Sequence, residues 1–121
     1  MKRCKTCGKT KPLSEFAARR SSCKPCFAEL QRRYIREREY GLTVEDVDRM
    51  LAEQRGRCPI CRTPITSETL DVDHDHATGK VRGLLCGRCN VAIGQLKDDP
   101  KVIRSAIRYL TRRQEVPDAL F

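Results

Sequence analysis

Leu70-Asp-Val-Asp-His-Asp-His-Ala-Thr-Gly-Lys-Val-Arg-Gly-Leu-Leu-Cys-Gly-Arg-Cys-Asn90 is the stretch that decides the fold of this 121-residue chain. Leu70 to Asp73 and Val81 to Leu85 read as short strands, and the polar turn Thr78-Gly79-Lys80 between them makes the pair a β-hairpin. The second strand runs into Cys86-Gly-Arg-Cys89, after which Asn90 opens a short helical stretch through about Leu96. Cys58-Pro-Ile-Cys61 stands just upstream, so the order is knuckle, strand, turn, strand, knuckle, helix: a small α+β arrangement. The spacing Cys58-x2-Cys61-x24-Cys86-x2-Cys89 offers four thiolates in two close pairs, which suits tetrahedral Zn²⁺. A Cys4 site leaves no position open for water, so its zinc is structural.

Zinc does not account for Asp73-His74-Asp75-His76, where the chain's only two histidines meet two carboxylates at the end of a strand. Strand alternation places Asp73 and Asp75 on one side and His74 and His76 on the other, unless the turn intervenes. A polar hairpin loop is one reading of this tetrapeptide. The other brings in Asn90, held by its neighbour Cys89. A hard cation such as Mg²⁺ takes one or two protein oxygens plus phosphate oxygens, and Asp73 with Asn90 can supply the protein share. His74 beside it has the chemistry of a general base near neutral pH, and the target is then a phosphodiester.

Upstream, Cys4-x2-Cys7-x15-Cys23-x2-Cys26 repeats the paired spacing and reads as a second Cys4 zinc ribbon. A helix is expected from about Phe27 to Tyr40, with Phe27, Leu30 and Tyr34 as its apolar stripe and Gly41 as its stop. Its arginines, Arg32, Arg33, Arg36 and Arg38, fit either contact with DNA or a solvated face. Thr43 and Asp46 mark the start of another helix over about 44–55, whose stripe is Val44, Val47, Met50 and Leu51. Asp98 or Asp99 caps a last helix with Pro100 in its first turn, Ile103, Ile107 and Leu110 on one side and Arg104, Arg108 and Arg112 on another.

Composition agrees with a metal-stapled chain. Apolar residues make up 39%, aromatics 5%, and tryptophan is absent, too little to stabilise a fold of this size by core burial alone. There is no apolar leader and no run approaching the ~20 residues of a membrane span, so a soluble, intracellular protein without membrane contact is expected. In a reducing compartment, paired cysteines favour metal over disulfides. The formal charge of +9 falls to about +5 once two Zn²⁺ ions sit on eight thiolates. Residues 1–40 hold 12 Lys/Arg against 4 Asp/Glu, so the first module, 1–40, is the polyanion-facing part, ahead of a second unit, 41–121.

The run from Leu70 to Asn90, with Gly94 close behind and Tyr40-Gly-Leu-Thr and Gln54-Arg-Gly-Arg-Cys58 before it, closely resembles the core of the recombination endonuclease VII family. That family is a phage-type branch of the HNH, or ββα-metal, endonucleases, and the resemblance covers about residues 42–100. It implies an HNH ββα-metal fold and a Mg²⁺- or Mn²⁺-dependent DNA endonuclease with a single catalytic metal on Asp73 and Asn90. It also implies that His74 activates water, that His76 contacts the scissile phosphate or supports the site, and that Cys58, Cys61, Cys86 and Cys89 hold zinc. With Cys4, Cys7, Cys23 and Cys26 the expected complement is two structural Zn²⁺ and one catalytic Mg²⁺ or Mn²⁺, in a phage-encoded protein of a prokaryotic host cytoplasm.

The wider HNH motif has an Asn on the hairpin, whereas none lies between His74 and Asn90 here, a lack that the endonuclease VII branch shares. The chain departs from the best-known family member in two further places. Ile93 stands where the best-known member has an acidic residue, and about 25 residues follow Leu96, where that member has a long dimer-building helical region. Selectivity for branched DNA such as Holliday junctions therefore does not transfer with the site, and a homodimer and a nicking monomer both remain open. A site-specific or general HNH nicking nuclease of the homing or packaging type, acting on duplex DNA, shares the same residues. A non-catalytic zinc-finger DNA-binding protein leaves Asp73, His74 and Asn90 together without a reason, and a thiol-disulfide oxidoreductase lacks its βαβ scaffold.

Overall fold

A computed structural model describes residues 1–112; the end of the unit expected to run to residue 121 lies outside them. The chain opens with two short antiparallel strands, β1 (Lys2–Arg3) and β2 (Thr10–Lys11). Between them the first knuckle turns at Gly8, whose φ of 73° lies in the left-handed region that glycine enters at no steric cost. A 3-10 turn at Leu13–Glu15 delivers Phe16, which is buried against Cys4, Cys23 and Cys26 and, among the described residues, is the only large apolar side chain in this miniature core.

Helix α1 (Lys24–Tyr40) starts at the second knuckle, three residues before the expected Phe27, because Cys23 occupies the N-cap and Pro25 fits the first turn. It ends as expected at Gly41, with φ of 65°, whose N–H reaches Glu37 O while that of Leu42 reaches Arg36 O, closing the carbonyl end with a left-handed glycine cap. The expected apolar stripe is not what the helix buries. Leu30 and Tyr34 are exposed, and the side chain taken out of water is Arg36, which donates to Ser67 O on the far side of α2 in sequence. Arg36 thus ties α1 to the following unit, and the arginine face divides accordingly. Arg32 and Arg33 pair with Glu29, and Arg38 lies over the Tyr34 ring.

Helix α2 (Val44–Glu53) begins with a complete capping box: the Asp46 N–H donates to Thr43 Oγ1 at 3.1 Å and the Thr43 N–H to Asp46 Oδ2 at 2.9 Å. Strands β3 (Leu70–His74) and β4 (Val81–Cys86) pair antiparallel in the predicted hairpin, from Leu70 opposite Cys86 to Asp73 opposite Gly83. Leu84 and Leu85 are consecutive in β4 yet both buried, which requires cover on both faces of the hairpin. Helix α2 lies against β4, and α3 (Gly87–Gln95) lies against both strands. The resulting core joins Val47, Cys58, Ile65, Leu70, Leu84, Leu85 and Cys89, so cysteine is structural material here as well as ligand.

The edge of β4 is closed by a side chain. Gln54, half-buried just after α2, accepts from the Leu84 N–H at 3.0 Å and donates to Leu84 O at 2.8 Å and Arg57 O at 3.1 Å, replacing a third strand with one carboxamide. Helix α3 starts at Gly87 and not at Asn90 because Cys86 is its N-cap, with Sγ accepting from the Cys89 N–H at 3.4 Å. Helix α4 (Pro100–Thr111) is capped by Asp99, whose carboxylate accepts from the Lys101 N–H at 2.8 Å. Its amphipathic pattern is present but buries nothing fully: Ile107 and Leu110 of the expected stripe are exposed. Among the described residues no helix is long and apolar enough to cross a membrane.

Candidate active site and metal centres

Both cysteine tetrads close. In each, four sulfurs lie within 4.8 Å of one another, and Cys61 Sγ and Cys86 Sγ are 3.6 Å apart, near the edge of about 3.8 Å that a tetrahedron of Zn–S bonds near 2.3 Å implies. The donor set and spacing therefore fit zinc. Backbone geometry prepares the thiolates: the Cys23 N–H donates to Cys4 Sγ at 3.2 Å and the Cys7 N–H at 3.5 Å, and these bonds lower the Cys4 thiol to about 5. In the second tetrad, Thr63, with Oγ1 3.2 Å from Cys61 Sγ, lowers Cys61 to about 5. The fourth thiols move the other way. Hydrogen bonding with Cys23 pushes Cys26 up to about 12, and burial does the same to Cys89. Sulfurs this close hold their negative charges together only around a cation. Lys11, donating to Cys23 Sγ at 3.4 Å, and Arg88, beside Cys61, offset part of the charge that zinc leaves.

The hairpin bulges at the residues singled out by sequence. Asp73 pairs with Gly83 but His74 pairs with Val81, so Arg82 is the extra residue of β4. β3 ends at His74, and Asp75 belongs to the turn, where its Oδ1 accepts from the Ala77 and Thr78 N–H groups at 2.8 and 3.1 Å. Asp75 is thus a turn-forming residue, not a strand partner of Asp73. His74 and His76 do lie together, with ring centroids 4.7 Å apart in an edge arrangement, and Tyr40 from the end of α1 stands 5.4 Å from the His74 ring.

Asp73 is buried, at 7% exposure, and the Arg82 guanidinium grips it with Nε to Oδ2 and Nη2 to Oδ1, both at 2.8 Å. This fork holds the guanidinium charged well above the ordinary arginine range. The same Nη2 reaches Asp98 Oδ2 at 3.2 Å, and Asp98 Oδ2 lies 3.4 Å from His76 Nε2. Asp98 gets there through an unusual connector. After α3, Lys97 and Asp98 have φ of 59° and 54°, two successive non-glycine residues in the left-handed region, with N–H groups donating to Gly94 O and Ile93 O. An open cleft of about 260 Å³ lies between the hairpin turn and this connector, lined by Asp75, His76, Ala77, Arg82, Lys97 and Asp98.

Asn90, on the first turn of α3, does not hydrogen-bond to Asp73; its Nδ2 lies 3.5 Å from Asp71 Oδ2. Asp71 and Asp73 are two apart on β3 and share a face. Gly87 stands beside Asp71, where a Cβ would lie 3.4 Å from Oδ2, in ordinary van der Waals contact. With the nitrogen end of the carboxamide turned to Asp71, no hydrogen bond among the described residues occupies Asn90 Oδ1. A buried carboxylate and a free amide oxygen on adjacent elements are hard-oxygen donors of the kind Mg²⁺ and Mn²⁺ take, so the residues fit such a cation in chemistry.

Sequence reading missed Arg82, Asp98 and Asp71. In sequence Arg82 reads as a strand residue and Asp98 as a helix cap; a bulge and a left-handed connector give them their positions, and neither has a sequence signature here.

Compared with known proteins, this chain is 45% identical over 75 residues to the Gene 59 protein of Mycobacterium phage D29, an alignment covering 60% of this chain and 46% of that protein. The Gene 59 protein of Mycobacterium phage L5 is 44% identical over 73 residues, covering 59% and 44%. The chain thus spans less than half the length of these curated relatives. Among solved structures, the ββα-Me type II restriction endonuclease Hpy99I aligns at 26% identity with a TM-score of 0.41, over 89% of this chain and 63% of that one. The family model for recombination endonuclease VII matches residues 31–112, from within α1 to the end of α4. That span holds the hairpin, the second tetrad and the whole Asp73–Arg82–Asp98–His76 network, and the chain belongs to the recombination endonuclease VII family.

Proposed function

We propose that this chain is a metal-dependent DNA endonuclease that hydrolyses phosphodiester bonds by a single-metal HNH mechanism in the cytoplasm of a phage-infected bacterial cell. The observation that carries the reading is the placement of Asp73, His74 and His76 at one end of β3, beside the helix bearing Asn90, inside the stretch matched to the family. Asp73 and Asn90 would hold Mg²⁺ or Mn²⁺. Bound there, the cation supplies charge neutralisation at the phosphate and at the departing 3′ oxygen. His74 takes the proton from the attacking water, its ring steadied between Tyr40 and His76. His76, largely exposed at the mouth of the cleft, faces the phosphate, and Asp98 orients its imidazole. The two zinc ions are structural: one clamps the hairpin to α3, the other fixes the N-terminal ribbon to the start of α1.

Residues 1–40 act as a basic anchor on the DNA backbone, and the unit from 41 onward carries the chemistry. The exposed Lys5 and Lys9 of the ribbon support this part of the reading, because the arginines of α1, like Lys2 and Lys11, are largely engaged within the protein. The substrate proposed is branched DNA. The test compares cleavage of an end-labelled four-way junction with a linear duplex of the same sequence, in Mg²⁺ and Mn²⁺, using wild type and His74→Ala. Junction cutting, lost in the variant while zinc content and DNA binding persist, is the expected result. Equal cutting of junction and duplex would replace branch selectivity by general or sequence-guided nicking, and undiminished cutting by His74→Ala would remove His74 as the base. Deletion of residues 1–26 is expected to weaken binding and flatten its salt dependence; an unchanged salt slope would take the anchor role from the ribbon.

A further inference from the structure

The carboxylate assigned to the cation is already fully engaged. Both oxygens of Asp73 receive short, parallel N–H bonds from Arg82, the geometry in which a guanidinium binds a carboxylate most strongly. A hard cation asks for the same oxygens and tolerates no neighbouring positive charge without cost. Asp98 provides the guanidinium with a second acceptor: it stands 3.2 Å from the same Nη2, its side chain is only 15% exposed, and it is aimed by two consecutive left-handed residues. Non-glycine residues persist in that conformation only where their surroundings over-determine it, and such strain gathers at functional sites.

We propose that Arg82 and the divalent cation compete for Asp73, and that Asp98 is the positioning residue that receives Arg82 when the cation binds. Arg82 is then a built-in rival that keeps the buried Asp73 charge compensated and sets the threshold for metal loading. Drawn off toward Asp98 and the cleft beside His76, its guanidinium stands where a phosphate oxygen can accept from it. This inference rests on the assignment of Asp73 as a cation ligand.

The experiment is Mn²⁺ titration of the zinc-loaded protein without DNA, followed by electron paramagnetic resonance, with zinc content and circular dichroism verifying the fold of each variant. Arg82→Lys preserves the charge but cannot grip both oxygens, so competition predicts tighter Mn²⁺ binding, on the order of ten-fold if the gripped state dominates the wild type by that ratio. Asp98→Asn, which removes the alternative acceptor, is expected to weaken binding. The double variant Arg82→Gln/Asp98→Asn separates competition from plain charge effects. If Asp98 acts through Arg82, the double variant binds as Arg82→Gln does, whereas two independent charge effects add. Weaker or unchanged binding in Arg82→Lys, or additivity in the double variant, would overturn the proposal. Asp73→Asn tests the underlying assignment separately: loss of Mn²⁺ binding supports it, and wild-type affinity in that variant would refute it whatever Arg82 does.

Discussion

Replacing Gln54 by alanine removes one carboxamide and leaves two backbone groups of the hairpin without partners. Leu84, at 0% exposure, is at the centre of the core, and its N–H and carbonyl bond to Gln54 at 3.0 and 2.8 Å. A buried backbone group deprived of its partner costs about 1–3 kcal/mol. Two such groups set an upper figure of about 6 kcal/mol, and water entering at the truncated edge recovers part of it, so a loss of about 2–4 kcal/mol is expected. Against a total stability of about 5–15 kcal/mol, that is a large fraction. Urea unfolding of zinc-saturated protein at fixed free zinc measures it, and with a slope of about 1–2 kcal/mol per molar the midpoint should fall by roughly 1–4 M. Gln54→Glu sharpens the test, because it retains an acceptor for the N–H but sets a negative charge against the carbonyl, and it is expected to lose a comparable amount at neutral pH. A change below about 0.5 kcal/mol in Gln54→Ala, the range of an ordinary surface substitution, would refute the claim that this side chain serves as the missing strand.

Purified without chelator, the protein should carry two zinc ions per chain, and a strong chelator should unfold it, since structural zinc contributes ~10–16 kcal/mol of apparent binding; zinc near zero would contradict the tetrad assignment. Zinc loading should release protons at pH 7, because Cys26 and Cys89, held near 12, are protonated there and must become thiolates; affinity therefore rises with pH, and calorimetry in buffers of different ionisation enthalpy counts the protons. Thr43→Ala should destabilise α2 by about 1 kcal/mol in thermal unfolding. The backbone N–H of Thr43 lowers the pKa of Asp46, so the capping contribution is complete above the unfolded carboxylate range and is lost as pH falls through the lower folded value; Asp46→Asn should flatten stability between those limits.

What the sequence by itself determined is local or governed by rigid stoichiometry. Cysteine pairs separated by two residues form knuckles whatever surrounds them, and four such pairs supply the ligands for two tetrahedral sites. The turn Thr78-Gly79-Lys80 and its flanking strands, the stop at Gly41 and the Thr43/Asp46 capping box depend on contacts within a few residues, and they form as expected. Asp73, His74, His76 and Asn90 stood out because zinc had no use for them. Tertiary structure alone decided how those residues are held. Arg36 and not Tyr34 is buried on α1 because a carbonyl 31 residues away accepts from it. Arg82 reaches Asp73 because of a single unpaired residue in β4, and Asp98 meets Arg82, 16 residues distant, because a left-handed connector turns α3 back onto the hairpin. A pattern of residue types sets which groups the chain offers, whereas long-range ion pairs depend on loop geometry to within an ångström, and no short-range preference encodes that.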